Sequence, residues 1–284
     1  MKMQRTVLLI IAGVFMVVGG IYVAFRGNAP ERNMPGSQVM TIIKQWDMPD
    51  ELEEISGISF IDDNRVACVQ DEKGVVFIYN LKTSKVEKKI DFGDSGDYEG
   101  ITMVGTTCYV LRSDGVLFKI EDLDSDPKET VKIKTSLKSE YNFEGLCYDK
   151  KNDQLLLAIK DKASDDFKPV YAFDLNTNTL KKDPVFTIPF NSNVFDKLEE
   201  KRSNKLMRPS DLAINPKDGK VYITEGSNPK LLITSTNGTP EKLYVLKEKQ
   251  FAQPEGVTFN SKGEIFISNE GHGGPGNIIK LTLK

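Results

Sequence analysis

Beyond residue 39 the chain alternates apolar and polar positions over runs of four to eight residues. The runs stop at turn signals: Asp62-Asp63-Asn64, Lys73-Gly74, Asp114-Gly115, Asp218-Gly219 and Lys262-Gly263. Period-two alternation cut by Gly, Asn and Asp is the pattern of antiparallel hairpins. Almost nothing here carries a helical period, so the class is all-β. The stretch that begins DYEGITMV shows the plan, because residues 101–104, 108–112, 116–120 and 130–134 predict four short consecutive strands.

The same plan is written five times. Ser56, Glu99, Glu144, Ser210 and Glu255 occupy equivalent places at the start of their units, at steps of 43, 45, 66 and 45 residues. A period of 40 to 50 residues with four strands per unit is that of propeller blades. The long third step is a normal blade plus residues 191–207, a charged insertion that reads as a loop over one face, with room for a short helix. Residues 39–284 therefore predict a five-bladed β-propeller, or six blades if the insertion hides one. The final unit stops at NIIKLTLK, one strand short, and residues 39–46 (VMTIIKQW) are a spare strand ahead of the first unit. Pairing the two would close the ring and remove its open edge.

Ahead of the propeller, residues 6–25 form a run of 20 without a charge, long enough as a helix to cross a hydrocarbon core of about 30 Å. Residues 1–27 read as a membrane anchor and 28–38, with Pro30 and Pro35, as a linker. Lys2 and Arg5 keep the short N-terminus cytoplasmic, which sends the propeller to the extracytoplasmic, periplasmic side of the cytoplasmic membrane as a single-pass protein. A cleaved signal peptide is the rival reading; the run exceeds the usual apolar length and no A-x-A site follows. A length of 284 residues suits a propeller as one domain, here expected to act as a monomer. The formal net charge of −3 offers no basic surface for nucleic acid. Cys68, Cys108 and Cys147, an odd number, fall inside strand-like runs and read as small buried hydrophobes.

Propeller geometry gives these repeats a chemical meaning. Innermost strands begin at one mouth of the central channel, where second strands end. Glu99, Glu144, Asp211 and Glu255 are thereby brought to a ring about the axis, and the glycine after each glutamate lets crowded backbones approach. Asp71, Arg112, Lys160, Asp161, Glu225, Asn269 and Glu270 fall on the same rim. Converging carboxylates repel one another and require a cation or basic partners. Oxygen donors alone suit Ca²⁺. The other reading is architectural, with these acids accepting backbone amides of neighbouring blades. A single histidine, His272 in GHGGPGN, and no paired cysteines argue against a zinc site of the common kind; His272 reads as a surface-loop residue. Trp46, Tyr98, Tyr141 and Phe143 flank the inner-strand starts, either as packing or as pocket wall.

The EGI, EGL and EGV strand starts, RPSDLAINPKDGKVYITEG and the closing QPEGVTFNSKGEIFISNEG, behind an N-terminal apolar span, resemble the SdiA-regulated (YjiK-like) family from about residue 42 to 284. The resemblance implies an envelope propeller akin in architecture to phytase-like and NHL-like ones, with calcium in the propeller and no assigned biochemical activity. The chain departs from a symmetric acidic ring at Ser56, with Glu54 two residues earlier, and at Ser210-Asp211. Three functions follow as expectations. The first is a membrane-tethered, calcium-containing propeller that binds a small ligand or an envelope protein at its mouth through Asp71, Arg112, Lys160, Arg208, Glu225, Asn269 and Glu270. The second is a metal-dependent hydrolase of phosphoester or lactone type, with Arg112, Lys160 and Arg208 receiving an anionic group. The third is a structural scaffold.

Overall fold

A computed structural model describes residues 40–124, 129–135, 142–161, 164–200 and 202–284. The expected anchor and linker, residue 39 and Tyr141 lie outside the described residues. The rest is an all-β, five-bladed propeller. Blade one is β2 (Ile55–Phe60), β3 (Arg65–Gln70), β4 (Val75–Asn80) and β5 (Lys85–Asp91). Blade two is β6 (Tyr98–Val104), β7 (Thr107–Arg112), β8 (Val116–Glu121) and β9 (Glu129–Lys134). Blade three is β10 (Phe143–Asp149), β11 (Gln154–Ile159) and β12 (Phe167–Asp174), with its outer edge shared by β13 (Thr179–Leu180) and β14 (Phe186–Pro189), both paired to β12. Blade four is β15 (Asp211–Ile214), β16 (Val221–Glu225), β17 (Lys230–Thr234) and β18 (Pro240–Val245). Blade five is β19 (Pro254–Phe259), β20 (Ile265–Asn269) and β21 (Asn277–Leu283), completed from the other end of the sequence by β1 (Met40–Asp47).

The apolar core is divided into five seams, one where each blade meets the next. Ala67, Val76 and Ile78 of blade one meet Ile101, Val110 and Phe118 of blade two. Leu111 and Leu117 then meet Leu146 and Leu157, and Leu156 and Val170 meet Leu212 and Ile223. Leu231 and Ile233 meet Val257 and Ile267; Phe266 and Ile278 meet Ile58 and Phe77. A blade buried on both faces needs apolar side chains at odd and even positions alike. That requirement is why runs such as VVFIY and LLLAI are continuous rather than strictly alternating. The three cysteines fall in three different seams and are free and buried.

Closure occurs as the spare strand predicts. β1 runs antiparallel to β21, from Met40 opposite Leu283 to Asp47 opposite Asn277, with a bulge between Ile42 and Lys44. Trp46 fastens this strand to blade one, since its indole is buried and donates to the Leu81 carbonyl at 2.7 Å. The insertion is a loop whose helical content is two 3₁₀ turns, Asn193–Phe195 and Ser203–Lys205. Phe195 and Met207 are buried in the seam between blades three and four, with Val194, Leu198 and Leu206 packed against it, so tertiary anchoring sets its path.

Candidate functional site

Four of the five inner strands share one local device at the mouth, β15 being the exception. Ladder pairing slips by a bulge between Ile55 and Ile58, Tyr98 and Gly100, Phe143 and Leu146, and Pro254 and Gly256. Bulges re-aim side chains, and Glu99, Glu144 and Glu255 sit on three of them. The glycine that follows is required by the neighbour. A Cβ on Gly100 would stand 2.6 Å from Leu146 Cβ, and one on Gly145 2.8 Å from Asp211 Cα. The EG motif thus sets a bulge that frees a carboxylate and a glycine that lets the next blade dock.

Glu144 is 1% exposed, and Lys160 Nζ reaches its Oε2 at 3.1 Å. The chain itself therefore supplies one cation to the ring. The main chain at Lys160 is pinned in turn by Lys168, completely buried, whose ammonium donates to the Lys160 carbonyl at 2.6 Å. Burial holds the Glu144 carboxyl up at about 8 against the pull of Lys160. Glu99 is pushed to about 10 by burial and by the charges of Glu144, Asp97 and Glu255. Among the described residues Glu99 has no hydrogen-bond or ion-pair partner. Glu255 is raised by burial as well, opposed by Lys160 and by hydrogen bonds from Gln253 and Ser210. Lys160, charged and flanked by all three glutamates, is itself raised: burial lowers it, and the acids, led by Glu144, more than compensate.

Asp211 stands apart from these glutamates. In register it occupies the glycine place, with Ser210 at the glutamate place. Its Oδ1 accepts the Leu146 N–H at 3.1 Å and its Oδ2 the Val257 N–H at 2.9 Å. The carboxylate joins the inner strands of blades three, four and five and is fully committed to backbone.

A second acidic group forms where blades one and five meet. Carboxylate oxygens of Glu54, Asp71 and Glu270 all lie within 4.8 Å of one another. Burial, then Glu54 and Glu270, raise Asp71 to about 6. Its Oδ1 is buried with no hydrogen-bond partner. Gln253 ties this group to the ring, donating to Glu270 Oε2 while also bonding Glu255. Sequence reasoning placed Asp71 and Glu270 on the rim and Glu54 one step outside it; the structure brings the three together.

The remaining rim residues are paired. Arg112 is held bidentate by Asp114 at 2.9 and 2.8 Å, and Arg208 is bound by Asp161. Glu225, buried, accepts Lys230 at 2.7 Å and the Arg208 N–H at 2.8 Å. Asn269 donates to Asn277 at 2.9 Å, while its Oδ1 is buried without a partner. Trp46, Tyr98 and Phe143 lie buried in seams. Sequence reading missed Lys168 and Lys230; nothing in their local runs distinguishes them from ordinary surface lysines. A cavity of about 500 Å³ opens beside the mouth, between the insertion (Leu198, Arg202, Lys205) and Asn228 and Lys230 of blade four.

Residues 38–273 match the profile of a family described as SdiA-regulated. No curated protein matches the chain. Among solved structures, the glutaminyl cyclase of Myxococcus xanthus is similar with a TM-score of 0.62 at 14% identity, over 88% of this chain and 99% of that one. The PQQ-bound aldose sugar dehydrogenase of Streptomyces coelicolor gives 0.53 at 10% identity, over 88% and 99%. A Bacteroides thetaiotaomicron protein of unknown function gives 0.54 at 13%, over 82% of this chain and 59% of that one. At these identities the likeness is one of fold.

Proposed function

The chain belongs to the SdiA-regulated family, and on that premise we propose that it is a membrane-tethered, extracytoplasmic propeller that holds Ca²⁺ at its channel mouth and binds a small ligand or envelope protein there. The observation that carries the reading is the meeting of Glu54, Asp71 and Glu270 within 4.8 Å around the orphaned Asp71 Oδ1. A buried acceptor without a donor is costly, and three carboxylates this close need compensation. An all-oxygen donor set fits calcium. These three residues would hold the ion, whose contribution is positive charge between the carboxylates; the ring inside has Lys160 in that part. The tether rests on the uncharged run of residues 6–25.

The phosphoester reading finds less support, because Arg112 and Arg208 are already tied to Asp114 and Asp161. The test is calcium titration with melting curves. Saturating calcium should stabilise the folded state by RT ln(1 + [L]/Kd), about 2.7 kcal/mol at one hundred times Kd, and Asp71→Asn or Glu270→Gln should remove most of that gain. Identical melting of the wild type with calcium and with chelator would end the proposal.

A further inference from the structure

The seam that closes the ring carries a cavity on the face away from the mouth. Inner strands begin at the mouth, so the loops that follow them turn on the opposite face, residues 61–64 between β2 and β3 and residues 260–264 between β19 and β20. Between those two loops and β1 lies a cavity of about 320 Å³, within the range of small-ligand sites. One wall is aromatic, since Trp46 and Phe266 line it with their ring centroids 6.0 Å apart. The bulge in β1 between Ile42 and Lys44 leaves Ile43 without a ladder partner and turns it out at the rim, 53% exposed. Bulges re-aim side chains, and this one presents an isoleucine to water beside the cavity.

Charge distinguishes this cavity from the acidic mouth. Lys44, Lys82, Lys262 and Lys280 line it against two acids, Asp63 and Glu264. Glu264 is already bound, accepting from Lys280 and from Asn260 Nδ2 at 2.7 Å each; Asp63 accepts the Ser261 hydroxyl at 2.9 Å. Among the described residues Lys44, Lys82 and Lys262 have no carboxylate partner. Lys44 holds its ammonium over the Trp46 ring instead, 4.4 Å from the centroid. A local excess of lysine on a chain of net charge −3, next to an exposed apolar rim, complements an anionic head joined to an apolar tail.

We propose that this cavity seats the headgroup of an anionic phospholipid, with its phosphate among Lys44, Lys82 and Lys262 and the start of its acyl chains against Ile43. Lysine binds phosphate as a point charge, and each lysine near an anionic lipid surface strengthens attraction roughly fivefold. A zwitterionic headgroup brings its own cation into a basic site. The uncharged run ends at Phe25 and β1 begins at Met40, so residues 26–39 keep this strand within about 50 Å of the end of the run even when fully extended. That preference for a lipid over a soluble anion rests on reading residues 6–25 as a membrane anchor. A lipid held here turns the mouth away from the bilayer.

The test titrates the full-length chain in mild non-ionic detergent with dihexanoylphosphatidylglycerol, dihexanoylphosphatidylcholine or inorganic phosphate, following the fluorescence of Trp46, the single tryptophan. Phosphate draws the Lys44 ammonium off the indole face, so the anionic lipid should change the emission saturably. The zwitterionic lipid and inorganic phosphate should each bind at least tenfold more weakly. Reversing two exposed turn positions together, Lys82→Glu with Lys262→Glu, should weaken the anionic lipid more than about twentyfold. No saturable change, equal binding of the two lipids, phosphate binding as tightly as the anionic lipid, or an unaltered affinity in the double variant would overturn the proposal. If that variant does not fold, the comparison of the two lipids on the wild type decides. Carbonate extraction of cell membranes reports on the anchor separately. A chain released by carbonate that still binds the anionic lipid loses the anchor and keeps the site, whereas one retained in the membrane that ignores the lipid does the reverse.

Discussion

Replacing Asp211 by asparagine separates architecture from cation binding at an acidic position whose two oxygens both accept backbone N–H groups of neighbouring blades. The aspartate is 2% exposed and accepts the Leu146 N–H at 3.1 Å and the Val257 N–H at 2.9 Å. Asparagine keeps the shape but turns one oxygen into an NH₂, which then points a donor at a buried backbone donor. One charge-assisted bond of roughly 1.5–3 kcal/mol is lost and one N–H is left unsatisfied at a cost of about 1–3 kcal/mol. These figures overlap, and burial, which pushes the Asp211 carboxyl well up against the pull of its backbone hydrogen bonds, offsets part of them, so the net expectation is about 2–4 kcal/mol. At roughly 2–4 °C per kcal/mol for a chain of this size, the melting temperature should fall by about 5–15 °C. Thermal melts followed by circular dichroism should show the same fall with calcium and with chelator. A variant that melts like the wild type, or whose deficit vanishes in chelator, would refute the interblade reading and make Asp211 a cation ligand.

Stability should also depend on pH in a definite direction. Burial foremost raises Asp71 to about 6, Glu144 to about 8 and Glu99 to about 10, so their contribution is complete below the unfolded carboxyl range near 4 and is lost as pH rises through those values. The calcium-free protein should therefore melt at a lower temperature at pH 9 than at pH 5, while calcium affinity, which requires ionised Asp71, should rise from pH 5 to 7; flat profiles would contradict both. Trp46→Ala removes a buried indole and its bond to Leu81 and should cost about 3–5 kcal/mol, against almost nothing for Ile43→Ala on the exposed side of the same strand; denaturant melts showing equal effects would argue against closure through β1. Gly100→Ala, with no space against Leu146, should destabilise by about 1–3 kcal/mol, and an unchanged denaturation midpoint would show that the blades can part without cost.

Most of the frame was legible because repetition carries it. Blade starts recur at nearly constant spacing, and the missing last strand has a spare counterpart ahead of the first blade. Glu99, Glu144 and Glu255 were legible for the same reason. Asp211 was grouped with them because Ser210-Asp211 resembles a shifted copy of Glu-Gly, although its register assigns it to the glycine place; a one-residue offset reverses the side a strand residue faces. The trio of Glu54, Asp71 and Glu270 was named residue by residue but not joined, since Glu54 and Glu270 meet only after the ring has closed. Lys160 was visible as a rim lysine, yet its turn into the ring depends on Lys168 pinning its carbonyl, a contact without a local signature. The insertion was legible as a loop over one face, but not its course, which is fixed by the apolar residues it lends to the seam between blades three and four.

The pairing of β1 with β21 also orders events in time. β1 is the first strand of the propeller to leave the ribosome, and its partner is the last. Every other hydrogen-bonded strand pair joins segments close in sequence; this one spans almost the whole propeller and must wait. Contacts of such separation bear the loop-closure entropy before they return any energy and are characteristically slow. Until β21 arrives, Met40, Ile42 and Trp46 of the waiting strand lack the cover that the fifth and first blades later give them. A chain that loses its end before β21 leaves them so indefinitely, with the fifth blade's outer edge open to proteases and to other chains.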